Sequence, residues 1–496
     1  MNLSPELNYL KEEIAGYARE YGLDFFNVVF EAMTFEQMNE VAAFGGFPTR
    51  YPHWRFGMEY DYMSKGYAYG LHKIYELVIN NDPCYAYLLR SNSPVDQKLV
   101  IAHVYAHSDF FKNNYWFSKT NRKMMDEMAN HGTRIRKYIE RYGHETVEDF
   151  VDCCLSLENL IDLHAPFIRR KEEPDRRQAE EEDDESGELK LKSKPYMESF
   201  INPPEALRRQ REEKKTRATH RKDSFPAEPE KDVLLFLQKY APLEPWQRNI
   251  LSMLREEAYY FAPQAQTKIM NEGWAAYWHA RIMTEKSLTD AEVVDFADHH
   301  SGTLSTRPGQ LNPYKLGIEL FRDIEDRWNK GKFGEEYENC TDREMKQRWN
   351  KNLGLGREKI FEVRRIYNDV TFIDTFITPE FCEAQKMFVY AFDKSSGNYV
   401  IVDRDFGVVK EKLLFLLTNF GQPYITIIDA NYKNRGELYL KHRHEGVDLK
   451  HGDTIETLKK LGKIWKRPVH IETVLEEKPK LLSFDGKDLV EANLKS

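Results

Sequence analysis

Apolar and polar residues recur along this chain with two different periods, and the change of period divides it. Up to residue 167, and again from residue 231 to residue 367, apolar residues return every three or four positions, which is typical of amphipathic helices. One such stripe consists of Leu3, Leu7, Leu10 and Ile14. Beyond residue 368, short runs with a period of two indicate strands between helices. The pattern predicts a mainly α-helical N-terminal domain followed by a C-terminal α+β domain.

The stretch between the two helical segments has a different character. Residues 168–230 contain long runs of charged residues and few large apolar ones, so we expect a mobile or partly helical surface insertion there. We therefore predict one helical domain made of residues 1–167 and 231–367, which the insertion interrupts. Residues 368–490 are predicted to form a separate α+β module.

Three stretches give sharper local predictions. The segment "SPVDQKLVIAHVYAHSDFF" has a clear helix start, because Ser93 can cap it, Pro94 follows and Asp96 falls in the first turn. The segment "AFGGFPTRYPHWRFGMEYDYMSKGYAYG" is rich in glycine, proline and aromatic residues, and predicts a long ordered loop. In the C-terminal part, "KMFVYAFD" and "NYVIVDR" are joined by "KSSG" and predict a hairpin.

Composition narrows the class of protein. With 496 residues, the chain is long enough for two or three domains. Its 72 Lys and Arg residues against 81 Asp and Glu leave a formal net charge of −9, which argues against a nucleic-acid-binding protein. The N-terminal residues are charged, and no apolar run approaches the roughly 18 residues of a membrane span, so we expect neither a secretory signal nor a membrane span. Five cysteines without a C-x-x-C pair indicate reduced thiols and a cytoplasmic location.

Two histidines on the helix after Ser93 are the strongest candidates for chemistry. His103 and His107 are four residues apart, which puts both on one helical face with about 6 Å of rise between them. Two imidazoles at this spacing can share one metal ion, as in H-E-x-x-H metalloenzymes. Val104 occupies the position of the catalytic glutamate of those enzymes, and valine cannot act as a base. The spacing predicts a metal site, and a base for it must come from elsewhere in the chain.

A third ligand is predicted in the segment "KIMNEGWAAYWHARIM". A carboxylate from a second helix would complete a three-ligand zinc site, and Glu272 supplies one. His279 follows seven residues later, about 10.5 Å along the helix, so the two are not expected to bind the same ion. We predict that His103, His107 and Glu272 bind a divalent metal, with zinc as the expected ion.

Other titratable residues are candidates for the missing base. Glu31, Glu36 and Glu40 in "FEAMTFEQMNE" can bring a further carboxylate to the site, although a solvated helix face is the simpler interpretation. Glu31 follows the apolar "FNVVF" and is the least suited of the three to water, so we take it as the candidate catalytic carboxylate. Three further histidines have no role that the sequence decides, namely His53, His299 and His300.

The string "EGWAAY" around Glu272 resembles the third-ligand helix of gluzincin metallopeptidases, several of which carry E-G-W-A-x-Y after their H-E-x-x-H helix. The order along the chain also agrees, because the histidine helix comes first. The resemblance implies His103, His107 and Glu272 as metal ligands and Tyr277 as a group on the oxyanion side of the site. It covers only two short helices, and Val104 departs from it.

A second resemblance runs through most of the chain outside the charged insertion. The segments "FEAMTFEQMNEVAAFGGFPTRYPHWRFGMEYD", "HVYAHSDFFKNN", "NEGWAAYWH" and "NPYKLGIELFRDIEDRW" are similar to the stage V sporulation protein R family. The resemblance implies a bacterial cytoplasmic protein connected with formation of the spore cortex. It implies no particular reaction, because the family has none established.

Two classes of function follow from these observations. In the first, a metal-binding, gluzincin-like domain hydrolyses an amide with a base from outside the usual motif, and the α+β module binds protein partners. In the second, the protein is a non-catalytic scaffold or regulator, and the His and Glu residues form a structural polar network. A di-iron carboxylate protein is disfavoured, because the candidate helices lack a Glu-x-x-His pair.

Overall fold

The computed structural model describes residues 3–68, 75–168, 225–306 and 309–494. The insertion predicted at residues 168–230 lies outside the described residues except at its two ends, and its expected mobility stays a prediction.

Helices make up most of the described chain. Their bounds are α1 Pro5–Glu20, α2 Phe35–Ala43, α3 Trp54–Ala68, α4 Pro94–Asn113, α5 Met124–Tyr142, α6 His144–Leu155, α7 Val233–Tyr240, α8 Pro245–Gln266, α9 Lys268–Ile282, α10 Val293–Thr303, α11 Pro313–Lys330, α12 Glu335–Glu338, α13 Arg343–Gln347, α14 Gly356–Ile366, α15 Asp369–Phe376, α16 Pro379–Ala384, α17 Phe406–Leu417 and α18 His451–Trp465. Short 3-10 turns lie at Tyr115–Lys119, Ala165–Phe167, Asp290–Glu292 and Thr418–Gly421, and a π-helical turn lies at Met283–Ser287.

The strands of the described residues form three sheets. Their bounds are β1 Val28–Met33, β2 Glu76–Ile79, β3 Cys84–Leu89, β4 Val389–Asp393, β5 Asn398–Asp403, β6 Tyr424–Tyr432, β7 Glu437–Arg443, β8 Val469–Leu475, β9 Lys478–Phe484 and β10 Leu489–Asn493. In the first sheet β3 is central, with β1 parallel and β2 antiparallel to it. The β4–β5 hairpin stands alone, and the third sheet has the order β10-β9-β8-β7-β6 with one parallel pair, β7–β8.

The chain divides into two compact units. The first comprises residues 1–148 and 259–421, and the second comprises residues 149–258 and 422–496. The predicted α+β module is thus divided between them, because Phe372 of α15 belongs to the apolar core of the first unit. This division by compactness does not test independent folding, so the predicted domain limits stay predictions.

Two helices of the first unit are buried on nearly every side. Helix α4 has buried residues from Val95 to Phe111, and α9 has them from Ile269 to Ile282. A helix that is apolar on all faces lies inside a core, and these two pack against each other. Polar side chains on α4 and α9 are therefore placed in the interior, where each needs a partner.

Helices α9 and α11 cross at a pair of glycines. A Cβ atom on Gly273 would overlap the Cα atom of Gly317 and lie 2.9 Å from the nitrogen of Ile318. Only residues without a side chain allow backbones to approach this closely. Glu272 immediately precedes Gly273 in α9, and Tyr314 lies one turn before Gly317 in α11. The crossing therefore brings Glu272 and Tyr314 to the same region.

The second unit contains the five-stranded sheet and α18. The chain leaves β7, forms α18 and returns as β8 parallel to β7, with Leu438 opposite Val469. Leu458 and Leu461 of α18 are buried, as are Leu440 and other apolar residues of the sheet. An apolar helical face covering a sheet in this way is the usual core of an α+β unit.

The predicted fold class, a mainly helical N-terminal part and a C-terminal α+β part, is confirmed. The hairpin of "KMFVYAFD" and "NYVIVDR" is also present, as β4 and β5. One local prediction is wrong, and one feature was not foreseen. The aromatic segment predicted as a loop contains α3, and the N-terminal part holds the sheet of β1 to β3, whose short strands carry little periodic signal. No helix in the described part of the chain is both long and apolar enough to cross a membrane.

Candidate metal centre

The two histidines of α4 lie side by side in the interior. Ser93 caps the helix by accepting a hydrogen bond from the backbone N–H of Asp96, whose carboxylate accepts from the N–H of Ser93. This capping box sets where the helix begins and therefore which face each later residue occupies. The rings of His103 and His107 have centroids 4.5 Å apart, and both side chains are buried.

Glu272 of α9 approaches both histidines with one oxygen. Its Oε2 atom lies 3.4 Å from Nε2 of His103 and 3.4 Å from Nε2 of His107. A tetrahedral zinc ion, with ligand atoms at about 2.1 Å, holds those atoms about 3.4 Å apart. The ligand atoms of the three residues all lie within 4.8 Å of one another, so the spacing fits one ion.

Two of these atoms are buried without hydrogen bonds. Among the described residues, Nε2 of His103 and Oε2 of Glu272 have no hydrogen-bond partner, because their 3.4 Å contact lacks hydrogen-bond geometry. An unpaired buried polar atom destabilises a fold by roughly 1–3 kcal/mol. Other buried atoms of the described chain, such as Nε1 of Trp278, also lack a partner, but the two here meet at the spacing of one ion, which points to a shared ligand. The residues present therefore fit a divalent metal ion.

The charges of the three residues also suit a cation. Burial, together with His107, lowers the pKa of His103 to about 4, so this imidazole is neutral at pH 7. Burial opposes ionisation of Glu272, but His107, His103 and Lys268 together hold its pKa well below the ordinary value. Lys268 donates to Oε1 of Glu272 at 2.6 Å, which leaves Oε2 directed at the histidines. A neutral imidazole and an ionised carboxylate are the forms that bind metal.

Hydrogen bonds on the far side of each imidazole orient the rings. Nδ1 of His107 lies 2.9 Å from Oδ1 of Asn271, and because an amide oxygen only accepts, Nδ1 carries the hydrogen and Nε2 the lone pair. Nδ1 of His103 lies 2.9 Å from Nδ1 of His279, whose Nε2 lies 3.0 Å from Nδ1 of His300. Metal-binding histidines commonly have such partners.

The helix that carries Glu272 is capped from a distant part of the chain. Thr267, the residue before α9, makes no side-chain cap, and the carboxylate of Asp369 accepts from the backbone N–H groups of Ile269 and Met270 at 2.8 and 2.9 Å. Burial raises the pKa of Asp369 to about 7. This contact holds the first turn of α9, one turn before Glu272.

Two residues near the histidines were not foreseen from the sequence. Oε1 of Glu76, on β2, lies 3.9 Å from Nε2 of His103, and burial raises the pKa of Glu76 to about 7. The ring of Tyr314 stacks on His103 with centroids 6.1 Å apart, and burial and the adjacent Glu272 raise the pKa of its hydroxyl. The Asn-Pro pair before Tyr314 marks the start of a helix but not which residues that Tyr contacts, and a Glu at the start of a short strand carries no signal of either kind.

The candidate catalytic residues Tyr277 and Glu31 lie elsewhere. The hydroxyl of Tyr277 bonds Oε2 of Glu325 at 2.6 Å and accepts from Nη1 of Arg281 at 2.6 Å, so its partners lie outside the histidine and glutamate cluster. Glu31 lies opposite Tyr87 in the β1–β3 pair, and Tyr87 packs in a different core from the one that contains α4. The structure therefore does not bring either residue to His103 and His107.

The remaining candidates have separate surroundings. Glu36 and Glu40 are exposed, as the solvated-face interpretation requires. The ring of His53 packs against Trp54 with centroids 5.4 Å apart. Nδ1 of His299 lies 2.5 Å from Oδ1 of Asp96, at the start of α4.

Comparison with known proteins connects this geometry to a family. The chain matches the family described as SpoVR like protein over residues 2–422, and the family described as SpoVR-like C-terminal domain over residues 423–476. The chain belongs to the SpoVR family. A SpoVR relative in Escherichia coli K12, the uncharacterized protein YcgB, is 31% identical over 497 residues, covering 94% of this chain and 91% of the relative. No solved structure matches this SpoVR chain.

Proposed function

We propose that this SpoVR-family protein binds one divalent metal ion, expected to be zinc, through His103, His107 and Glu272. The observation that carries the proposal is the convergence of three buried ligand atoms, two of them without hydrogen bonds in the described chain, at the spacing of a tetrahedral ion. Gluzincin-like descent of the helical domain is part of the proposal.

We further propose that the centre hydrolyses an amide. A bound divalent ion would act as a Lewis acid on a carbonyl oxygen. Tyr314 would contribute a neutral hydroxyl donor, because a Tyr hydroxyl is protonated at pH 7 and burial and Glu272 raise its pKa further. Asn271 and His279 would keep the imidazoles of His107 and His103 in the tautomer that presents Nε2.

Membership of the family suggests a role related to sporulation, and we propose spore cortex formation as the process and the cytoplasm as its location. We also propose that the α+β part of the chain binds protein partners.

The second candidate function is a non-catalytic scaffold or regulator of the same pathway. The observation that favours it is Val104, which is completely buried in the core at the position where H-E-x-x-H enzymes hold their base. In this case the ion, or a polar network of the same residues, would only stabilise the fold.

Metal analysis of the purified protein tests the binding proposal. We expect one ion per chain by plasma mass spectrometry, its loss in His107→Ala, and weaker binding in Glu272→Gln, which keeps a neutral oxygen ligand. His451→Ala is the matched control, because this histidine is exposed at the start of α18. A wild-type protein that purifies without metal and is not stabilised by added zinc would refute metal binding.

Amine release from a peptide library, detected with fluorescamine, separates the two candidate functions. The hydrolase proposal expects new amino groups with the zinc-loaded wild type and none with His107→Ala. Equal signals from the zinc-loaded wild type and from His107→Ala would refute the hydrolase proposal and favour the non-catalytic scaffold or regulator.

A further inference from the structure

A second carboxylate faces the centre from the sheet. Glu76 lies opposite Leu88 in the antiparallel pair of β2 and β3, and residues opposite each other share a sheet face. Leu88 is completely buried in the core that contains α4. The register of β2 therefore directs the side chain of Glu76 towards the helix that carries both histidines.

The carboxylate groups of Glu76 and Glu272 converge on the same atom. Oε1 of Glu76 is 3.9 Å and Oε2 of Glu272 is 3.4 Å from Nε2 of His103, an atom without a hydrogen bond in the described chain. The side chain of Glu76 is 21% exposed and that of Glu272 is 8% exposed. Two carboxylates this close in a buried place repel each other unless one is protonated or a cation lies between them.

Lys268 forms an ion pair with only one of the two carboxylates, although its charge also acts on Glu76. Lys268 binds Oε1 of Glu272, on the side away from the histidines. Within the described part of the chain, no lysine or arginine lies within ion-pair distance of Glu76. A divalent ion between the histidines would balance both carboxylate charges.

We propose that Glu76 is a fourth protein ligand of the ion, so that the centre consists of two histidines and two glutamates. This inference rests on the proposed metal binding. The 3.9 Å separation from Nε2 of His103 exceeds the roughly 3.4 Å of tetrahedral ligand atoms by about 0.5 Å. Glu76 also lies outside the group of three residues whose ligand atoms are all within 4.8 Å of one another, so its side chain must rotate towards the other two ligands to bind the ion. A second carboxylate makes the ligand set harder, so manganese and ferrous ions join zinc as ions that the centre accepts. The ion would also link β2 to α4 and α9.

Zinc affinity, measured by competition with a chromophoric chelator, tests this assignment on the full chain. Removal of a partner of a metal ligand weakens binding by about 10–100-fold, so replacing a charged ligand oxygen by a neutral amide oxygen in Glu76→Gln should weaken it by at least about 10-fold. Glu40→Gln makes the same change at an exposed position and should bind zinc as the wild type does. We also expect the visible absorption of the cobalt-loaded protein to differ between wild type and Glu76→Gln.

The outcomes separate the inference from the proposed function. If Glu76→Gln keeps wild-type zinc affinity and cobalt spectrum while Glu272→Gln loses affinity, Glu76 is not a ligand and the three-ligand centre stands. A wild-type protein that binds no zinc would refute both the proposed metal binding and the assignment of Glu76 as a ligand. If Glu76→Gln fails to fold, the cobalt spectrum of Glu76→Asp answers the question, and a spectrum identical to wild type overturns the assignment.

Discussion

The glycine crossing of α9 and α11 allows a prediction whose size follows from the structure. A methyl group added in Gly273→Ala would overlap the backbone of Gly317 and approach the nitrogen of Ile318 to 2.9 Å, well inside the 3.5–4.0 Å of ordinary contacts. Both obstacles are main-chain atoms of a buried helix, so no flexible side chain can move aside. The helices must separate by about 1 Å.

The expected loss of stability is the difference between two effects. Overpacking of a core costs typically 1–3 kcal/mol, and the backbone position of this clash puts it at the upper end. Replacing a helical glycine with alanine by itself stabilises a helix by about 1 kcal/mol. We therefore expect Gly273→Ala to lower the free energy of unfolding by about 2 kcal/mol. The change should also weaken zinc binding, because Glu272 is the preceding residue.

A matched control is available in α1. Gly16 lies inside that helix, and a Cβ atom added there meets nothing within 4 Å. Gly16→Ala should therefore stabilise the protein by up to about 1 kcal/mol. Thermal and urea unfolding of the wild type and the two variants, followed by circular dichroism, measures both changes. Equal or greater stability of Gly273→Ala relative to wild type would refute the close-packing argument.

Three further predictions concern the metal centre and its support. Zinc at 100 times its Kd should stabilise the metal-free protein by about 2.7 kcal/mol, seen as a rise in Tm that the zinc-free His107→Ala variant lacks. His279→Leu should weaken zinc binding by about 10–100-fold in chelator competition, because Nδ1 of His103 loses its hydrogen-bond partner. In His279→Asn the amide oxygen can accept the hydrogen of that Nδ1, so this variant should recover much of the lost zinc affinity. The pKa of Asp369 rises from about 3.9 in the unfolded chain to about 7 in the fold, so the stability that its protonated form contributes is complete below pH 4 and lost as the pH rises through 7. Asp369→Asn does not titrate at this position, so the Tm of wild type minus the Tm of this variant should be lower at pH 8 than at pH 5. The same Tm difference at both pH values would contradict the raised pKa of Asp369.

The sequence by itself determined the features that depend on neighbours along the chain. The start of α4 follows from Ser93, Pro94 and Asp96, and with that start the four-residue spacing puts His103 and His107 on one face. These features rest on hydrogen bonds and side-chain contacts within one or two helical turns, which the order of residues dictates. The division into a helical and an α+β part follows in the same way from the period of apolar residues.

Only the tertiary structure decided which residues join the histidines. Among the described residues it brings Glu76 and Tyr314 to them and leaves Glu31 and Tyr277 elsewhere. Each choice depends on a contact between segments far apart in the chain: the register of β2 on β3, and the crossing of α9 and α11 at two glycines. Short strands carry little periodic signal, and a crossing point depends on the shapes of two surfaces at once. The order of residues along one segment therefore determines neither the register of β2 on β3 nor the point where α9 and α11 cross.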